Sequence, residues 1–464
     1  MKIHNLIISS TRPELLAKQI TAFLNVKNGR RLNFYVFNDD ATKNNKFLIE
    51  IASLKQIIPE ANIYYFNIDE QVRIIQEVAS KYSNMLNIDK ERIYSCFKEN
   101  NKLYGIRSIQ NKSVFIFYLN NKDVGSIIHK LDDDIFPYEA DRHDTGVSIV
   151  IKQDFFEKKE TSINDDIKII SGNNYTIDSP SPLVNYADFT EFLFNFYNIA
   201  KNKSADTRIG NDILKISPSG VRNVDDSLKV LDVLPVNEDF TYKKVVTALE
   251  SYAKLVKKGS SRIIINDNKE NHNGINKFFP GGCVSFMYEN LPTLTPTFGN
   301  QDLLWELIEI LEGKTLVTDG YIGHIKSPTG RVSIVNDLKD SSYKHQSSIT
   351  YSVFKYLIEK NNGASGLFNF HTNFVELMNK WLSESKHYSD QIIKILDDKN
   401  HWYADESKFI STAIVKKLCL DFISNYEKIK ANFSHSTKNI DILMFDYYQN
   451  KKIFDKLLKK IVTR

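Results

Sequence analysis

The stretch IHNLIISSTRPELLAKQITAFLN, residues 3–25, places a strand pattern directly before a helix pattern. Residues 3–9 form a short run with high β-propensity, as is typical of a strand. Pro13 follows at a position where a helix can begin, because its ring fixes φ at a helical value. The apolar residues after it have helical spacing and are Leu15, Leu16, Ile20, Phe23 and Leu24. This stretch therefore predicts a strand that leads into a helix.

The same alternation continues toward the middle of the chain. LNFYVFNDD, residues 32–40, predicts a second strand that ends in polar residues. KFLIEIASLKQII, residues 46–58, predicts a second helix, and NIYYFNI, residues 62–68, predicts a third strand. A β-α-β-α-β order is typical of α/β proteins. We therefore expect a Rossmann-like, mainly parallel sheet with helices on both faces.

Polar residues stand at the ends of three predicted strands. In GSIIHKLDDDIFP, residues 125–137, a strand-like run ends in the acidic triplet Asp132–Asp134. The first two strands end in Ser9–Thr11 and Asn38–Asp40. Ligands of such sheets bind beyond the carboxyl ends of the strands. We therefore expect these polar segments to share one rim of the sheet.

The acidic triplet has two interpretations. Adjacent carboxylates repel one another and resist burial. Carboxylate oxygens are also hard ligands that suit Mg²⁺ or Mn²⁺, and these ions commonly hold substrate phosphates as well. Runs of charge are more often solvated surfaces. The triplet is therefore either a metal site at a strand end or a turn whose acids face water, and the α/β context favours the metal site.

The rest of the chain predicts two parts. QNKSVFIFYLNN, residues 110–121, has the β-propensity of a strand, but a crossover is needed before the next parallel strand, so we expect a helix. SGNNYTIDSPSPLVN, residues 171–185, is rich in turn formers and predicts an ordered excursion near the site. Long helical patterns dominate from about residue 341. We expect an α/β domain over residues 1–340 and a helical C-terminal domain over residues 341–464.

Composition restricts the class of protein. The 464 residues are 42% hydrophobic and 25% charged, which is ordinary for a globular chain. A net charge of +4 is small for this length and argues against a nucleic-acid partner. The three cysteines are far apart, which argues against a zinc cluster or disulfide framework. Without signal-peptide features or an apolar run of ~18–20 residues, the sequence predicts a cytoplasmic protein.

The C-terminal segment KKIFDKLLKKIVTR, residues 451–464, combines an apolar face with lysines. The apolar residues at helical spacing are Ile453, Phe454, Leu457, Leu458 and Ile461. Such a helix can rest on an anionic membrane surface, which would place the protein peripherally at the inner face of the membrane. It can also pack on its own domain with its lysines in water. We favour this second interpretation.

Further motifs in chain order carry a family resemblance. After LIISSTRPELL and FYVFNDDAT they are GIRSIQNK (105–112), the acidic triplet, FFPGGCVSF (278–286), FGNQDLLWELI (298–308) and VTDGYIGHIKS (317–327). In this order they resemble the GT-A glycosyltransferases, particularly the large inverting glycosyltransferase family 2. The resemblance covers roughly residues 1–335, and it implies a GT-A fold and nucleotide-sugar donors.

The resemblance implies a role for each matching residue. The implied donor-binding residues are Ser10, Thr11, Asp39, Asp40, Arg107, Asn111, Asp132, Gly281 and Gly282. The implied ligands of a Mn²⁺ or Mg²⁺ ion are Asp132, Asp134 and His324. Asp302 would be the general base, and an adjacent helix N-terminus would keep it ionised. Asp133 has no implied role.

The chain departs from the family pattern in three places. Gln301 stands before Asp302 in place of the usual glutamate, Ala41 replaces the glycine after Asp40, and Gln110 stands where arginine is frequent. These departures weaken the prediction of an inverting reaction more than they weaken the prediction of the fold. Plainer interpretations also stay open, since Asp302 can be a helix cap and His324 an ordinary loop histidine.

The implied activity is metal-dependent transfer of a sugar, with inversion, from a UDP-sugar or similar donor to a hydroxyl of a glycan or lipid-linked glycan. A divalent ion would neutralise the leaving diphosphate, and one carboxylate would accept the proton of the attacking hydroxyl. Nucleotidyl transfer is an alternative, although SSTRPELL lacks the glycines of a phosphate loop. A non-catalytic nucleotide- or glycan-binding protein with this fold is another.

Overall fold

The computed structural model shows a large mixed sheet with helices on both faces. It describes residues 2–99, 101–143, 146–163, 169–175, 182–210, 240–247, 249, 270–272, 283–295, 305, 309, 316–324, 370–436 and 440–463. Within these ranges the strands are β1 (Ile3–Ser10), β2 (Arg31–Asn38), β3 (Asn62–Phe66), β4 (Ile127–Asp132), β5 (Ile135–Phe136), β6 (Tyr138–His143), β7 (Gly146–Ile151), β8 (Ile169–Tyr175), β9 (Glu270–His272), β10 (Cys283–Met287) and β11 (Leu316–His324).

The sheet has a parallel half and a mixed half. In the described residues its order is β3-β2-β1-β4-β10-β8-β11-β5, with β9 paired to β11 and with β6 and β7 forming a separate hairpin. Strands β3, β2, β1 and β4 are parallel to one another, and β10 is antiparallel to both β4 and β8. The predicted mainly parallel α/β sheet is therefore confirmed.

Ten longer helices surround this sheet in the described part of the chain. They are α1 (Pro13–Asn25), α2 (Asn44–Ile57), α3 (Ile68–Leu86), α4 (Lys90–Ser95), α5 (Ile106–Asn120), α6 (Phe155–Ser162), α7 (Pro182–Ala200), α8 (Phe370–Asp397), α9 (Ile410–Ser436) and α10 (Ile440–Val462). Helices α1, α2 and α6 share one hydrophobic cluster with β1, β2 and β4, and α5 belongs to the cluster on the opposite face. Because helices cover both faces of the sheet, β1 and β2 are almost continuously buried.

The sequence predicted the first elements well and one later segment poorly. Residues 110–121 are helical, as expected, within α5. Residues 171–175 do not form the excursion predicted for 171–185, because they extend β8 alongside β11, and helix α7 begins at Pro182. Pairing with β11 overrides the turn propensity of the asparagines that follow Gly172.

The C-terminal part is helical, as predicted. Helix α8 packs against α7 and α9, and α10 packs against α4 and α5, so these helices share a hydrophobic cluster with the sheet. The predicted boundary at residues 340 and 341 lies outside the described residues.

The apolar face of α10 is enclosed by the protein. Phe454 contacts the rings of Phe97 and Phe115, and Leu457 is fully buried. Lys452, and the lysines that follow it on the same outer surface, are exposed. This geometry agrees with the interpretation in which the C-terminal segment packs on its own domain. None of the described helices has the length and apolar character that crossing a bilayer requires.

Candidate active site

Strands β1, β2 and β4 end at the same edge of the sheet, as the sequence predicted. Ser10 pairs in register with Asn38, and Ser9 pairs with Asp132. Because all three strands are parallel, the segments that follow them meet beyond this edge. We call this group of polar residues, Ser10–Arg12, Asn38–Asp40 and Asp132–Asp134, the rim.

Asp133 is the most heavily hydrogen-bonded member of the triplet. Its Oδ2 accepts hydrogen bonds from Ser10 Oγ at 3.0 Å, from the Thr11 amide at 3.0 Å and from the Arg12 amide at 3.1 Å. Its Oδ1 accepts from Arg12 Nε at 3.0 Å and also from Arg12 Nη2. The carboxylate therefore closes the turn between β1 and α1, and these donors offset the desolvation of a side chain only 7% exposed.

Arg12 joins two carboxylates of the triplet. Besides its contacts with Asp133, its Nη2 lies 2.9 Å from Asp134 Oδ2. Burial disfavours the charged guanidinium, but the hydrogen bonds and charges of Asp133 and Asp134 outweigh it and raise the pKa of Arg12. Its neighbours in the structure are these two aspartates.

Asp132 and the backbone of the acidic turn are held from helices α1 and α5. Gln19 Nε2 donates to the carbonyl oxygens of Asp132 at 2.7 Å and Ile135 at 2.8 Å. Gln110 Nε2 lies 3.3 Å from Asp132 Oδ1. Gln19 lies on α1, which follows β1, and Gln110 lies on α5, which precedes β4. These two helices therefore fix the shape of the acidic turn.

Asp39 and Asp40 have different environments. The side chain of Asp39 is 1% exposed, whereas that of Asp40 is 29% exposed. Asp39 accepts from the Gly105 amide at 2.6 Å and lies 3.5 Å from Lys112 Nζ. Burial raises the pKa of Asp39 from 3.8 to about 6, although Lys112 and the Gly105 amide act in the opposite direction. Asp39 is thus enclosed by protein, and Asp40 is the more accessible of the two.

Gly105 is required where it lies. Its φ of 124° is one that side-chain-bearing residues rarely adopt, and a Cβ would lie 2.5 Å from Glu99 Oε2. This conformation directs the Gly105 amide at Asp39 and starts helix α5 one residue later. The loop before α5 is thereby fastened to the end of β2.

Asp40 belongs to a short turn that approaches the end of β1. It accepts hydrogen bonds from the Thr42 amide at 3.1 Å and from Thr42 Oγ1 at 2.6 Å. Lys43 Nζ lies 3.4 Å from Asp40 and donates to the Thr11 carbonyl oxygen at 2.7 Å. Lys43 therefore connects the turn after β2 to the turn after β1, a contact between distant residues that no sequence pattern predicts.

Helix α5 carries the next two predicted residues. Arg107 lies in the first turn of this helix, two residues after Gly105, whose amide donates to Asp39 of the rim. Asn111 is buried, donates to the Thr295 carbonyl oxygen at 2.8 Å and accepts from the Thr295 amide at 2.8 Å. Its described contacts are with the protein backbone, so the donor contact implied for Asn111 stays a prediction.

The remaining predicted residues come from later in the chain. His324 ends β11, where it pairs in register with Ile135, the residue after Asp134. The backbone therefore brings His324 next to the acidic turn across a separation of many residues. Gly281, Gly282 and Asp302 lie outside the described residues.

The donor atoms at the rim fit a divalent cation in part. Asp132 and Asp134 supply carboxylate oxygens, and His324 stands on the strand beside them. The buried Oε1 of Gln110 has no hydrogen-bond partner among the described residues, so a hard oxygen beside Asp132 is available. Against this, Asp134 is held by Arg12, and no three His, Cys, Asp or Glu side chains in the described ranges are grouped closely enough to hold a metal ion.

A second polar cluster lies deeper under the same strands, and we call it the histidine cluster. His129 hydrogen-bonds Ser285 Oγ at 2.8 Å and His4 at 2.9 Å, and His4 hydrogen-bonds Glu160 at 2.8 Å. Arg30 donates to both oxygens of Glu160, at 2.6 and 3.0 Å. The sequence gives no sign of this cluster, because its members are single polar residues in separate elements.

The titration properties of the histidine cluster follow from burial and pairing. Desolvation lowers the pKa of His4 to about 4, although Glu160 acts in the opposite direction. Desolvation also lowers the pKa of His129, and the neighbouring His4 and Lys159 add to the effect. Burial raises the pKa of Glu160, but hydrogen bonds from Arg30 and His4 outweigh it and bring that pKa to about 2. Both histidines are therefore neutral at pH 7.

Comparison with known proteins gives likeness of shape alone. No protein-family model matches the chain, and no curated protein does. The mannosyltransferase PcManGT from Pyrobaculum calidifontis, solved in complex with GDP-Man and Mn²⁺, has a TM-score of 0.40 at 8% identity over 94% of this chain and 87% of its own. Mouse xyloside xylosyltransferase 1, solved in apo form, has a TM-score of 0.23 at 11% identity over 40% of this chain and 56% of its own. Both neighbours are glycosyltransferases, and neither assigns a family.

Proposed function

We propose that this chain is a glycosyltransferase and that the rim binds the nucleoside diphosphate of a sugar donor. The observation that carries this proposal is the acidic turn after β4, which lies beside the ends of β1 and β2 and is shared with the single guanidinium of Arg12. A strand-end site that contains both carboxylates and a guanidinium suits a ligand with a ribose and a diphosphate.

The nucleoside would lie over the ends of β1 and β2. Thr11 and Asp40 are the partly exposed polar residues there, and Ser10 and Asp39 support them from beneath. Asp40 is the better candidate for a hydrogen bond to the base, because Asp39 is enclosed by Lys112 and Gly105. Arg107, in the first turn of α5, would approach the diphosphate.

Asp132, Asp134 and His324 would hold a Mn²⁺ or Mg²⁺ ion, with Gln110 Oε1 beside them. When bound, the ion would neutralise the charge that develops on the leaving diphosphate. Gly281 and Gly282 would let the backbone approach the sugar. Asp302 would accept the proton of an acceptor hydroxyl on a glycan or lipid-linked glycan, and transfer with inversion follows if it is the general base.

The test is a panel of UDP-, GDP- and TDP-sugars incubated with the protein and Mn²⁺, with donor hydrolysis measured by release of the nucleoside diphosphate. We expect one donor to be hydrolysed, and this hydrolysis to be lost in Asp134→Ala. Asp302→Asn should keep donor binding but slow turnover. If no nucleotide sugar binds or reacts, the proposed function is wrong. Release of pyrophosphate from a nucleoside triphosphate would instead favour nucleotidyl transfer.

A further inference from the structure

The outer face of helix α10 carries a row of lysines, which we call the lysine stripe. Lys452, Lys456, Lys459 and Lys460 are all exposed, and they lie on the side of the helix opposite its buried apolar residues. An α-helix turns by about 100° per residue, so these positions fall within one arc of roughly 100° and span ~12 Å along the helix axis. The four ammonium groups therefore point to the same side of the protein.

The lysine stripe has no carboxylate partner in the described part of the chain. Asp455, the only acidic residue of the segment 451–464, pairs with Lys451 at 2.9 Å instead. By contrast, Lys380 on α8 has Glu384 one turn further along its helix, at 3.9 Å. The net charge of the whole chain is +4, so four unbalanced lysines on one helix face concentrate positive charge on one side of the molecule.

The helix dipole accounts for only part of this charge. Lysines in the last turn of a helix stabilise its carbonyl end, and Lys459 and Lys460 lie in that turn. At the same end, Lys122 from the loop after α5 donates to the Ile461 carbonyl oxygen at 2.8 Å. The effect of the dipole falls off within one turn, so it does not explain the two lysines of the stripe that precede the last turn.

We propose that the lysine stripe docks the protein on an anionic lipid surface. A cluster of about four to eight lysines on a helix is attracted to the anionic headgroups of a bilayer. Phe454 on the apolar face of α10 is held against Phe97 and Phe115 inside the protein, so the helix does not insert and charge alone makes the contact. The small net charge of the chain argues against a nucleic acid as the partner. This docking does not depend on which ligand binds at the rim.

The experiment measures binding of the full chain to lipid vesicles by co-sedimentation. The vesicles contain phosphatidylcholine alone, or phosphatidylcholine with about one third phosphatidylglycerol. The wild type should bind the anionic vesicles at low ionic strength and should not bind the neutral ones, and added salt should release it. Replacing all four lysines of the stripe with glutamine should weaken binding to the anionic vesicles at least ~10-fold, because the charges that attract the headgroups are removed.

A matched control removes the same amount of charge from another surface. The control residues are exposed lysines of α8 and of the loop after it: Lys380, Lys394, Lys399 and Lys408. Their replacement with glutamine should leave vesicle binding within about two-fold of the wild type, because charges beyond the Debye length of the bilayer are screened. Circular dichroism checks that both variants are folded. If the stripe variant is not, the double variant Lys452→Gln and Lys456→Gln replaces it.

Four results would overturn the docking. They are no binding of the wild type to anionic vesicles, equal binding to neutral vesicles, equal losses in the stripe and control variants, and tighter binding to duplex RNA than to anionic vesicles. The last result would mean that the partner of the lysine stripe is a nucleic acid. Loss of vesicle binding in the stripe variant alone would support the docking.

Discussion

Strands β1 and β4 carry two polar clusters whose charges are arranged in opposite ways. At the rim, one cation, Arg12, is shared by the carboxylates of Asp133 and Asp134. In the histidine cluster, one carboxylate, Glu160, is shared by Arg30 and His4. The first arrangement has more carboxylates than cations, and the second has more donors than carboxylates.

This difference distinguishes the rim, which is the proposed binding site, from a structural network. Polar side chains buried under a sheet stabilise a fold when every member has a partner, as in the chain from Ser285 to Arg30. Carboxylates crowded at strand ends cost stability unless cations neutralise them. At the rim, Arg12 neutralises part of this crowding.

The largest loss of stability is expected at Asp133, the most heavily hydrogen-bonded aspartate of the rim. Asp133→Ala should lower the free energy of unfolding by about 3–5 kcal/mol, because it leaves Arg12 and three other donors without their shared acceptor. Urea denaturation followed by circular dichroism measures the loss. A loss below ~1 kcal/mol would mean that Asp133 does not close the turn between β1 and α1.

The next effect concerns activity. Asp134→Asn keeps the shape of the side chain but removes its charge, so the turnover of the donor identified by the panel should fall at least ~100-fold with Mn²⁺ present. Glu160→Gln makes the same chemical change in the histidine cluster and should leave turnover within a few-fold of the wild type. Equal losses in the two variants would remove the functional distinction between the clusters.

The clusters should also differ in the pH dependence of stability. The pKa of Asp39 is raised from 3.8 to about 6, so its unfolded form ionises first and the free energy of unfolding falls as pH rises through this window. The pKa of His4 is lowered from 6.5 to about 4, so the unfolded form takes up a proton first and the free energy of unfolding falls as pH decreases through this window. Each effect is on the order of 2–3 kcal/mol.

Urea denaturation between pH 4.5 and 6.5 separates these two effects. Relative to the wild type, Asp39→Asn should gain stability as pH rises, because only the histidine effect remains. His4→Gln should gain less stability than the wild type as pH rises, because one histidine effect is removed while those of His129 and Asp39 remain. Parallel pH profiles of both variants and the wild type would contradict the assigned environments of Asp39 and His4.

The smallest effect is expected at the exposed edge of the rim. Asp40→Ala removes a cap from the turn at Thr42 and should cost about 1 kcal/mol of unfolding free energy. Thermal melting compared with Asp133→Ala measures the contrast between an exposed and a buried aspartate. If Asp40→Ala destabilises the protein as much as Asp133→Ala does, the exposure of the aspartate does not determine how much its loss costs in stability.

Local patterns were sufficient to predict the first half of the fold and the existence of the rim. Strands β1 to β3 and their helices follow from periodicity, and the parallel arrangement alone implies that Ser10, Asn38 and Asp132 meet. The role of Asp133 could not be predicted, because it depends on how the turn at Arg12 meets a strand more than a hundred residues later. Strand β8 was missed because its pairing is set by distant neighbours rather than by propensity.

The sequence also did not predict which residues from other elements lie beside the rim. Lys112 looks like a solvated lysine in a helical pattern, and only the packing of α5 places its ammonium beside Asp39. His324 could be proposed from the family resemblance, and its place opposite Ile135 comes from the pairing of β11 with β5.

The most direct test of the central claim is equilibrium binding of nucleoside diphosphates, measured by isothermal titration calorimetry with Mn²⁺ present. The wild type and Glu160→Gln should bind one of UDP, GDP or TDP with similar affinity, and Asp134→Asn should bind it at least ~100-fold more weakly. Equal binding by Asp134→Asn and the wild type would contradict the account, because the ligand would then not depend on the acidic turn of the rim.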